Sequence, residues 1–334
     1  MTHVLAVRLD NEGDVLLAGP AIRALAAGAD RVTLLCGPRG RQAAALLPGL
    51  DGVLCWRAPW IDPDPEPVVP ADVHALVDRV AALEADAAVI FGSFHQSPLP
   101  TALVLRLAGV PWIGATSVDY PGALLDLRHR IDDDVHEVER ALDLVRAAGF
   151  APAPGDEGEL RVTGIPRQRP ADDYVVVHPG ASVPARAWGR ERNAELVAAL
   201  TAAGRRVVVT GGPGERALTR LVAAAGAIDL GGATDFAGLA AVLAGADAVV
   251  VGNTGPAHLA AAVGTPVVSL FAPTVPAVRW RPWKVPHELL WMHVPCAGCR
   301  ARVCPVPGHP CLDGVDTADV VAALERLAPE GAVA

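Results

Sequence analysis

The chain has 334 residues, of which 51% are hydrophobic and 4% are aromatic, and its formal net charge is −9. This composition is typical of a globular α/β protein, and the length suffices for two domains of about 150 residues each. The acidic balance argues against a nucleic-acid partner, and without a signal-peptide pattern or an apolar run of about 20 residues we expect a cytoplasmic protein with no transmembrane segment.

Short apolar runs rich in β-branched residues alternate with helical patterns in the first half of the chain. The predicted strands lie at residues 4–8, 32–36, 52–55, 87–91 and 112–114, the last strand of this half. The predicted helices lie at residues 15–27, 39–47, 73–83, 99–107 and 134–148, and the predicted loops at residues 9–14 and 56–70. Regular alternation of strand and helix predicts a parallel, doubly wound sheet.

A segment rich in Pro, Gly and charge, residues 150–173, interrupts this pattern and is the best candidate for a linker. The strands predicted after it lie at residues 174–177, 205–210, 248–251 and 267–270. The helices predicted there lie at residues 191–203, 215–225, 257–263 and 318–327, and residues 275–310 are predicted to be irregular. We therefore expect two Rossmann-like domains, residues 1–160 and 161–334, that face an interdomain cleft, because ligands of such sheets bind beyond the carboxyl ends of the strands.

A glycine-rich turn, GNTGP at residues 252–256, links one predicted strand to the next helix. It directs the first N–H groups of that helix beyond the end of the strand. Free N–H donors and the positive end of the helix dipole suit a phosphate or diphosphate, and Thr254 adds a hydroxyl. An ordinary βαβ turn has the same pattern, so the turn alone does not decide between the two interpretations.

Three further loops carry polar side chains at predicted strand ends. Asp14 ends the loop after the first strand, where its carboxylate could act as a general base or could cap the helix that follows. Residues 178–188 include Ser182 and Arg186, which suit phosphate oxygens, although a solvated loop also explains them. Glu215 suits a ribose diol, but it is also a favourable charge in the first turn of a helix.

Five stretches, in this order, resemble glycosyltransferase family 9, the lipopolysaccharide heptosyltransferases and their relatives. They are RLDNEGDVLLAGPAIRAL from Arg8, HPGAS followed by RAW from His178, GGPGE from Gly211, GNTGPAHLAAAVGTPVVSLFAPT from Gly252, and the late Cys-rich stretch. The resemblance covers roughly residues 4–327 and implies the GT-B architecture. It also implies that the first domain binds the acceptor and that the second, with the C-terminal helix, binds the nucleotide sugar.

The resemblance implies roles for individual residues. Asp14 matches the aspartate that deprotonates the acceptor hydroxyl, and Arg186 stands where the family has a lysine that contacts the donor phosphates. The other matched positions bind the donor: Ser182, Glu215, Asn253, Thr254, Gly255 and His258. Asn253 departs from the family, whose loop has aspartate there. This changes the contacts open to the donor sugar, because an amide donates as well as accepts.

The reaction that the resemblance implies is an inverting displacement, in which a diphosphate leaves as the acceptor oxygen attacks. Asp14 takes the proton, while Arg186 and the helix N-terminus at Thr254 stabilise the leaving group. These loops contain no Asp-x-Asp metal motif, so we expect no cofactor beyond the nucleotide-sugar donor, ADP-heptose.

Candidate acceptor-side residues lie near the same strand ends. Asp10 and Asn11 replace the small hydroxyl residues that the family has there, which we expect to alter acceptor binding. Ser93 and His95 follow the strand at residues 87–91 and are candidates to face the acceptor, although an ordinary surface role also explains His95.

Four cysteines cluster late in the chain in the pattern C-x2-C-x4-C-x6-C, with His309 nearby. They are Cys296, Cys299, Cys304 and Cys311. The spacing by itself is compatible with structural zinc. The family contains similar cysteines without an established metal role, so the resemblance favours a reduced or partly disulfide-bonded structural patch.

The acceptor is the least determined part of the predicted reaction. Lys284 is the only lysine, and Ala, Gly and Pro are abundant, which indicates a high-GC genome and is compatible with a natural-product acceptor such as an aminoglycoside. The lipopolysaccharide core is the alternative acceptor. A nucleotide-sugar epimerase and a non-catalytic nucleotide-sugar-binding protein are the other classes that the sequence leaves open, and it does not predict the linkage or the oligomeric state.

Overall fold

The computed structural model describes residues 2–93, 95–132, 134–167 and 169–329. The chain divides into two compact units, Met1–Thr163 and Gly164–Ala334. The predicted linker has no helix or strand among its described residues; Gln168 of this linker and residues 330–334 of the predicted second domain lie outside the described residues. The first part of the linker packs on the first unit, because Asp156 pairs with Arg23 at 2.7 Å and the Thr163 N–H donates to the Leu46 carbonyl at 2.8 Å.

The first unit is built on a parallel sheet. Its strands are β1 (His3–Arg8), β2 (Arg31–Cys36), β3 (Gly52–Cys55), β4 (Ala87–Ile90), β5 (Trp112–Thr116) and β6 (Leu127–His129), in the spatial order β3-β2-β1-β4-β5-β6. Its helices are α1 (Glu12–Gly28), α2 (Arg41–Ala44), α3 (Pro70–Ala81), α4 (Leu99–Leu107) and α5 (Glu137–Ala147). Strand β1 is buried along its whole length, which explains its continuous apolar run. Leu76 of α3 and Leu105 of α4 pack in the core on one face of the sheet.

Several predictions for this unit are wrong in detail, and helices α3 and α5 begin at Pro70 and Glu137 instead of the predicted residues 73 and 134. The loop predicted at residues 9–14 ends early, because α1 begins at Glu12 with Asn11 as its N-cap. The helix predicted at residues 39–47 is a 3₁₀ turn, Pro38–Gly40, followed by the short helix α2. Strand β5 is not the last strand of the unit, because β6 pairs with it. Strand β6 has only three residues, too few to show a period in the sequence.

The second unit repeats this architecture. Its strands are β7 (Tyr174–His178), β8 (Arg206–Val209), β9 (Ile228–Asp229), β10 (Ala248–Gly252), β11 (Val267–Leu270) and β12 (His287–Leu290), in the spatial order β12-β11-β10-β7-β8-β9. Its helices are α6 (Arg190–Ala202), α7 (Arg216–Ala223), α8 (Phe236–Ala244), α9 (Gly255–Ala262), α10 (Ala277–Trp280), α11 (Pro310–Asp313) and α12 (Thr317–Leu327). Leu196 of α6, Val222 of α7 and Leu324 of α12 pack in the core on one face of this sheet.

The region predicted to be irregular, residues 275–310, contains α10 and β12. Strand β12 is an edge strand that pairs in parallel with β11, and Pro286 precedes it. A short edge strand next to proline gives little local signal, because its pairing depends on a distant strand. Strand β9 and helix α8 were not predicted either.

The predicted α/β class, with two parallel doubly wound sheets, is confirmed. Because neighbouring strands are parallel, the strands of each sheet end at one edge, and the polar loops of that unit follow them. These are the loops after β1 and β4 in the first unit and after β7, β8, β10 and β11 in the second. Within the described residues, no helix combines the length and the apolar character that a membrane span requires.

Candidate active site

A buried guanidinium organises the carboxyl edge of the first sheet. Arg8, the last residue of β1, is 4% exposed, and its Nη2 donates to Asp14 Oδ1 at 3.0 Å and to Ser93 Oγ at 2.9 Å. Its Nε lies 2.9 Å from Asp10 Oδ2, and its Nη1 lies 3.9 Å from Glu137 Oε2. Three carboxylates therefore share one cation in surroundings where a charge without a partner is costly.

Asp14 belongs to the first turn of helix α1, three residues after the N-cap Asn11. Its Oδ2 accepts a hydrogen bond from the Asn11 N–H at 3.3 Å, while its Oδ1 faces Arg8. Asp14 is therefore not the N-cap itself, but one oxygen of its carboxylate supports the helix terminus and the other pairs with Arg8. Its role as a general base stays a prediction. Its side chain is 19% exposed and so remains accessible to a substrate.

The charged groups in this cluster shift one another's pKa values. Burial raises the pKa of Asp10 more than the charge of Arg8 lowers it, and the charge of Asp14 adds to the increase. Burial alone would lower the pKa of Arg8, but Asp10, Asp14 and Glu137 more than reverse this effect. Gln96 Nε2 donates to Asp10 Oδ1. Arg8 therefore keeps its charge, and Asp10 takes up a proton at a higher pH than an exposed aspartate does.

In the second unit, the carboxylate of Glu215 lies against the loops that follow β7 and β8. Glu215 Oε2 accepts from the Gly212 N–H at 2.7 Å, and a Cβ at Gly180 would overlap the carboxylate. His178 is buried at the end of β7, with its Nδ1 3.0 Å from Thr210 Oγ1. Burial lowers the pKa of His178 against the opposing charge of Glu215, so the ring is neutral at pH 7.

The turn after β10 presents polar oxygen atoms at the start of helix α9. Thr254 is the N-cap of α9, which begins at Gly255. Asn253 is 5% exposed, and its Nδ2 donates to the Ala272 carbonyl at 3.2 Å. Asn253 Oδ1 and Thr254 Oγ1 are buried without a hydrogen-bond partner among the described residues. His258, one turn into α9, is also buried.

The backbone of Arg186 meets this turn. Arg186 ends the 3₁₀ turn Pro184–Arg186, and its carbonyl oxygen would lie 2.6 Å from a Cβ at Gly252. Only glycine allows so close an approach of the two backbones. The structure thus brings the loop of Arg186 to the turn that contains Asn253 and Thr254. Ser182, at the start of the same loop, is exposed.

The predicted acceptor-side residues divide into two groups. Ser93 is buried and contacts Arg8, which links it to Asp14. Asn11 and His95 are exposed. Asn11 touches Asp14 through its backbone N–H, and the charge of His95 acts on Asp10.

Several residues of these clusters were missed by sequence reasoning. They are Arg8, Gln96, Glu137, Thr210 and Thr274. Arg8 alone gave a sequence signal, because an arginine that follows the apolar run Val4–Val7 in a buried strand is expected to pair with anions inside the fold. Thr274 follows β11, and its Oγ1 is buried with no partner among the described residues.

The Cys-rich segment, residues 294–311, lies beside the loops of the second unit. Its four cysteines line a cavity of about 30 Å³ together with Thr274 and His309. All four are free thiols, and burial, followed by the neighbouring thiols, raises the pKa of Cys311 to about 11. Across the described part of the chain, no group of three or more His, Cys, Asp or Glu side chains is arranged to hold a metal ion.

Comparison with known proteins identifies the family. The model of glycosyltransferase family 9 (heptosyltransferase) matches residues 81–309. Lipopolysaccharide heptosyltransferase 3 of Escherichia coli is 31% identical over 167 residues, which are 47% of this chain and 47% of that protein. The chain thus spans about half the length of this relative.

Solved structures resemble the fold over its whole length. The structure of E. coli ADP-heptose lps heptosyltransferase II has a TM-score of 0.75 at 19% identity and covers 98% of each chain. E. coli heptosyltransferase WaaC with ADP-2-deoxy-2-fluoro heptose has a TM-score of 0.74 at 22% identity, covering 97% of this chain and 99% of that one. Since the family model spans more than half of the chain and both sheets match these structures, this protein belongs to glycosyltransferase family 9 and has the GT-B fold.

Proposed function

We propose that this protein is an inverting glycosyltransferase that moves a heptose from ADP-heptose to an acceptor hydroxyl. The observation that carries the proposal is the Asp14 carboxylate, which is held on Arg8 at 3.0 Å and is still 19% exposed. A general base needs a fixed direction and access to the proton that it takes. The WaaC structure with an ADP-heptose analogue supports the choice of donor.

The first unit binds the acceptor in this proposal. Asp14 accepts the proton of the acceptor hydroxyl as the oxygen attacks C1 of the sugar. A new C1–O bond forms, the bond between C1 and the diphosphate breaks, and ADP leaves with its electron pair. Ser93 accepts a hydrogen bond from the same Arg8 nitrogen as Asp14, and the exposed residues Asn11 and His95 meet the acceptor in this proposal.

The second unit binds the donor. Arg186 neutralises the diphosphate, and Thr254 and the first N–H groups of α9, beginning at Gly255, receive its oxygen atoms. Two observations support this assignment: Thr254 Oγ1 has no partner among the described residues, and the Arg186 backbone lies against Gly252. The charge that develops on the leaving group is thus met by groups that are already in place.

The other donor-side residues contact the sugar and the ribose in this proposal. Glu215, fixed by the Gly212 N–H, accepts hydrogen bonds from the ribose diol, and Asn253 offers its Oδ1 to a sugar hydroxyl. His258 lies one turn further along α9, and Ser182 binds a phosphate oxygen from the exposed loop before Arg186.

The identity of the acceptor is a separate part of the proposal. The name of the relative supports a lipopolysaccharide acceptor. An aminoglycoside acceptor rests on composition and on the acidic cluster around Arg8, which would attract a cation. Parallel turnover assays with heptose-deficient lipopolysaccharide core and with an aminocyclitol decide between them, and turnover of the core alone would reject the natural-product acceptor.

The activity itself is tested with Asp14→Asn and ADP-heptose. We expect the turnover number to fall about 10²- to 10⁴-fold, as for loss of a general base, with ADP affinity unchanged. Asp78→Asn, an exposed aspartate on α3, is the matched control and should keep full activity. Donor turnover without any acceptor would indicate an epimerase, and ADP binding without any turnover would indicate a non-catalytic binding protein.

A further inference from the structure

The Cys-rich segment makes backbone contacts with two loops of the second unit. The N–H groups of Gly298 and Arg300 donate to the carbonyls of Pro273 and Thr274 at 2.7 and 3.0 Å. These two carbonyls belong to the loop after β11. The segment therefore braces the loop that carries Thr274, one of the buried hydroxyls without a partner among the described residues.

The same segment holds both polar backbone groups of Ala185. The Ala185 N–H donates to the Arg302 carbonyl at 3.0 Å, and His309 Nε2 lies 3.1 Å from the Ala185 carbonyl oxygen. A carbonyl only accepts, so Nε2 carries the hydrogen. Ala185 is 2% exposed and directly precedes Arg186 in the 3₁₀ turn.

The backbone of His309 is itself in an unusual conformation. Its φ is +41°, in the left-handed region that residues other than glycine seldom adopt. Glycine would adopt this conformation more easily, but the residue at this position is a histidine. The imidazole contact with Ala185 offers a physical reason, because a glycine could not make it.

We propose that His309 is a positioning residue that sets the affinity for the donor diphosphate by holding the turn Pro184–Arg186 against Gly252. The proposal rests on the proposed role of Arg186. Ala185 is clamped on one side by the Cys-rich segment, and the carbonyl of Arg186 rests on Gly252 on the other, so the guanidinium starts from a fixed backbone. Loss of the imidazole removes one of the two hydrogen bonds by which the Cys-rich segment holds Ala185.

The test measures binding of ADP and AMP to the full chain by calorimetry. His309→Ala should weaken ADP binding about fivefold, as expected for one lost hydrogen bond, and AMP binding less than about twofold. His309→Gln, which can still donate to the Ala185 carbonyl, should restore most of the ADP affinity. His74→Ala, an exposed histidine on α3, is the matched control and should change neither affinity.

A double-mutant cycle shows whether the effect passes through Arg186. In an Arg186→Ala background, His309→Ala should cause no further loss of ADP affinity. Equal losses for ADP and AMP, additive effects in the cycle, or an unchanged ADP affinity would each overturn the proposal. If His309→Ala does not fold, His309→Met fills similar space without donating to Ala185 and takes its place. If the wild-type protein itself does not bind ADP, the proposed donor function fails instead.

Discussion

Replacing Arg8 with methionine is expected to destabilise the protein strongly. Arg8→Met keeps much of the side-chain volume but removes the cation that Asp10, Asp14 and Glu137 share. Breaking one side of a buried ion pair costs about 3–5 kcal/mol, because the remaining charge loses its partner. Asp14 is 19% exposed, so water can solvate part of the excess charge, and we expect about 3 kcal/mol rather than the sum of three pairs.

The pH dependence separates this electrostatic loss from a packing defect. Arg8 is the main influence that opposes burial at Asp10, so its removal raises the pKa of Asp10 further. Native Asp10 therefore keeps its proton to a higher pH in the variant than in the wild type, so the stability of the variant falls over a wider range of pH above about 4. The destabilisation relative to wild type should therefore be largest near neutral pH and smaller near about pH 5.5.

Arg23→Met is the matched control, since it makes the same substitution at a partly buried ion pair of the first unit. Arg23 pairs with Asp156 at 2.7 Å, and its hydrogen bond is the main cause that lowers the pKa of Asp156 to about 2. A carboxylate whose pKa is lower in the folded protein than in the unfolded chain stabilises the fold at pH values above the pKa of the unfolded chain. This stabilisation is lost as the pH falls from about 4 towards 2. The cost of Arg23→Met should thus be the same at about pH 5.5 and about pH 7.5.

The assay is urea unfolding of both variants and the wild type at these two pH values, together with transferase turnover. Arg8→Met should also lower the turnover number at least about tenfold, because Asp14 loses the hydrogen bond that directs it, whereas Arg23→Met should keep it within about twofold. If Arg8→Met lowers the free energy of unfolding by the same amount at both pH values, or if this variant keeps full turnover, the reasoning is refuted.

Two further substitutions test the donor side. Gly180→Ala should displace the Glu215 carboxylate, because the added Cβ would overlap it. We expect ADP binding measured by calorimetry to weaken about tenfold. An unchanged affinity would show that the Glu215 carboxylate does not contact the nucleotide. Asn253→Asp keeps an acceptor for the sugar but loses the Nδ2 donor to the Ala272 carbonyl, so thermal unfolding should show about 1–3 kcal/mol lower stability with a donor KM close to wild type. Asn253→Ala should lose both stability and donor affinity, and a KM that changes equally in the two Asn253 variants would contradict the assigned role of Oδ1.

Local sequence was sufficient wherever one segment supplies its own signal. The run Val4–Val7 predicts a strand because a parallel strand covered on both faces is apolar throughout, and β1 is buried along its length. The turn at Gly252 predicts the start of α9 because glycine, threonine and proline there favour a helix N-terminus. The boundary of α1 was wrong because Asn11 and Asp14 both suit a helix start, and only the observed backbone places the cap at Asn11.

Short edge strands could not be predicted from a local pattern, because pairing with a neighbouring strand stabilises them. Strands β6 and β12 are held by β5 and β11, which lie at other places in the chain. Three or four residues leave no period to detect in such strands, and Pro286 directly precedes β12.

The sequence by itself determined the α/β class, the order of the polar loops and the resemblance that points to Asp14, Arg186 and Thr254. Only the tertiary structure decided that Glu137 joins Asp10 and Asp14 as a partner of Arg8, and that His309 contacts the backbone beside Arg186. The physical reason is separation along the chain. Glu137 and His309 lie more than a hundred residues from the groups they approach, so folding alone brings these charges and hydrogen bonds together.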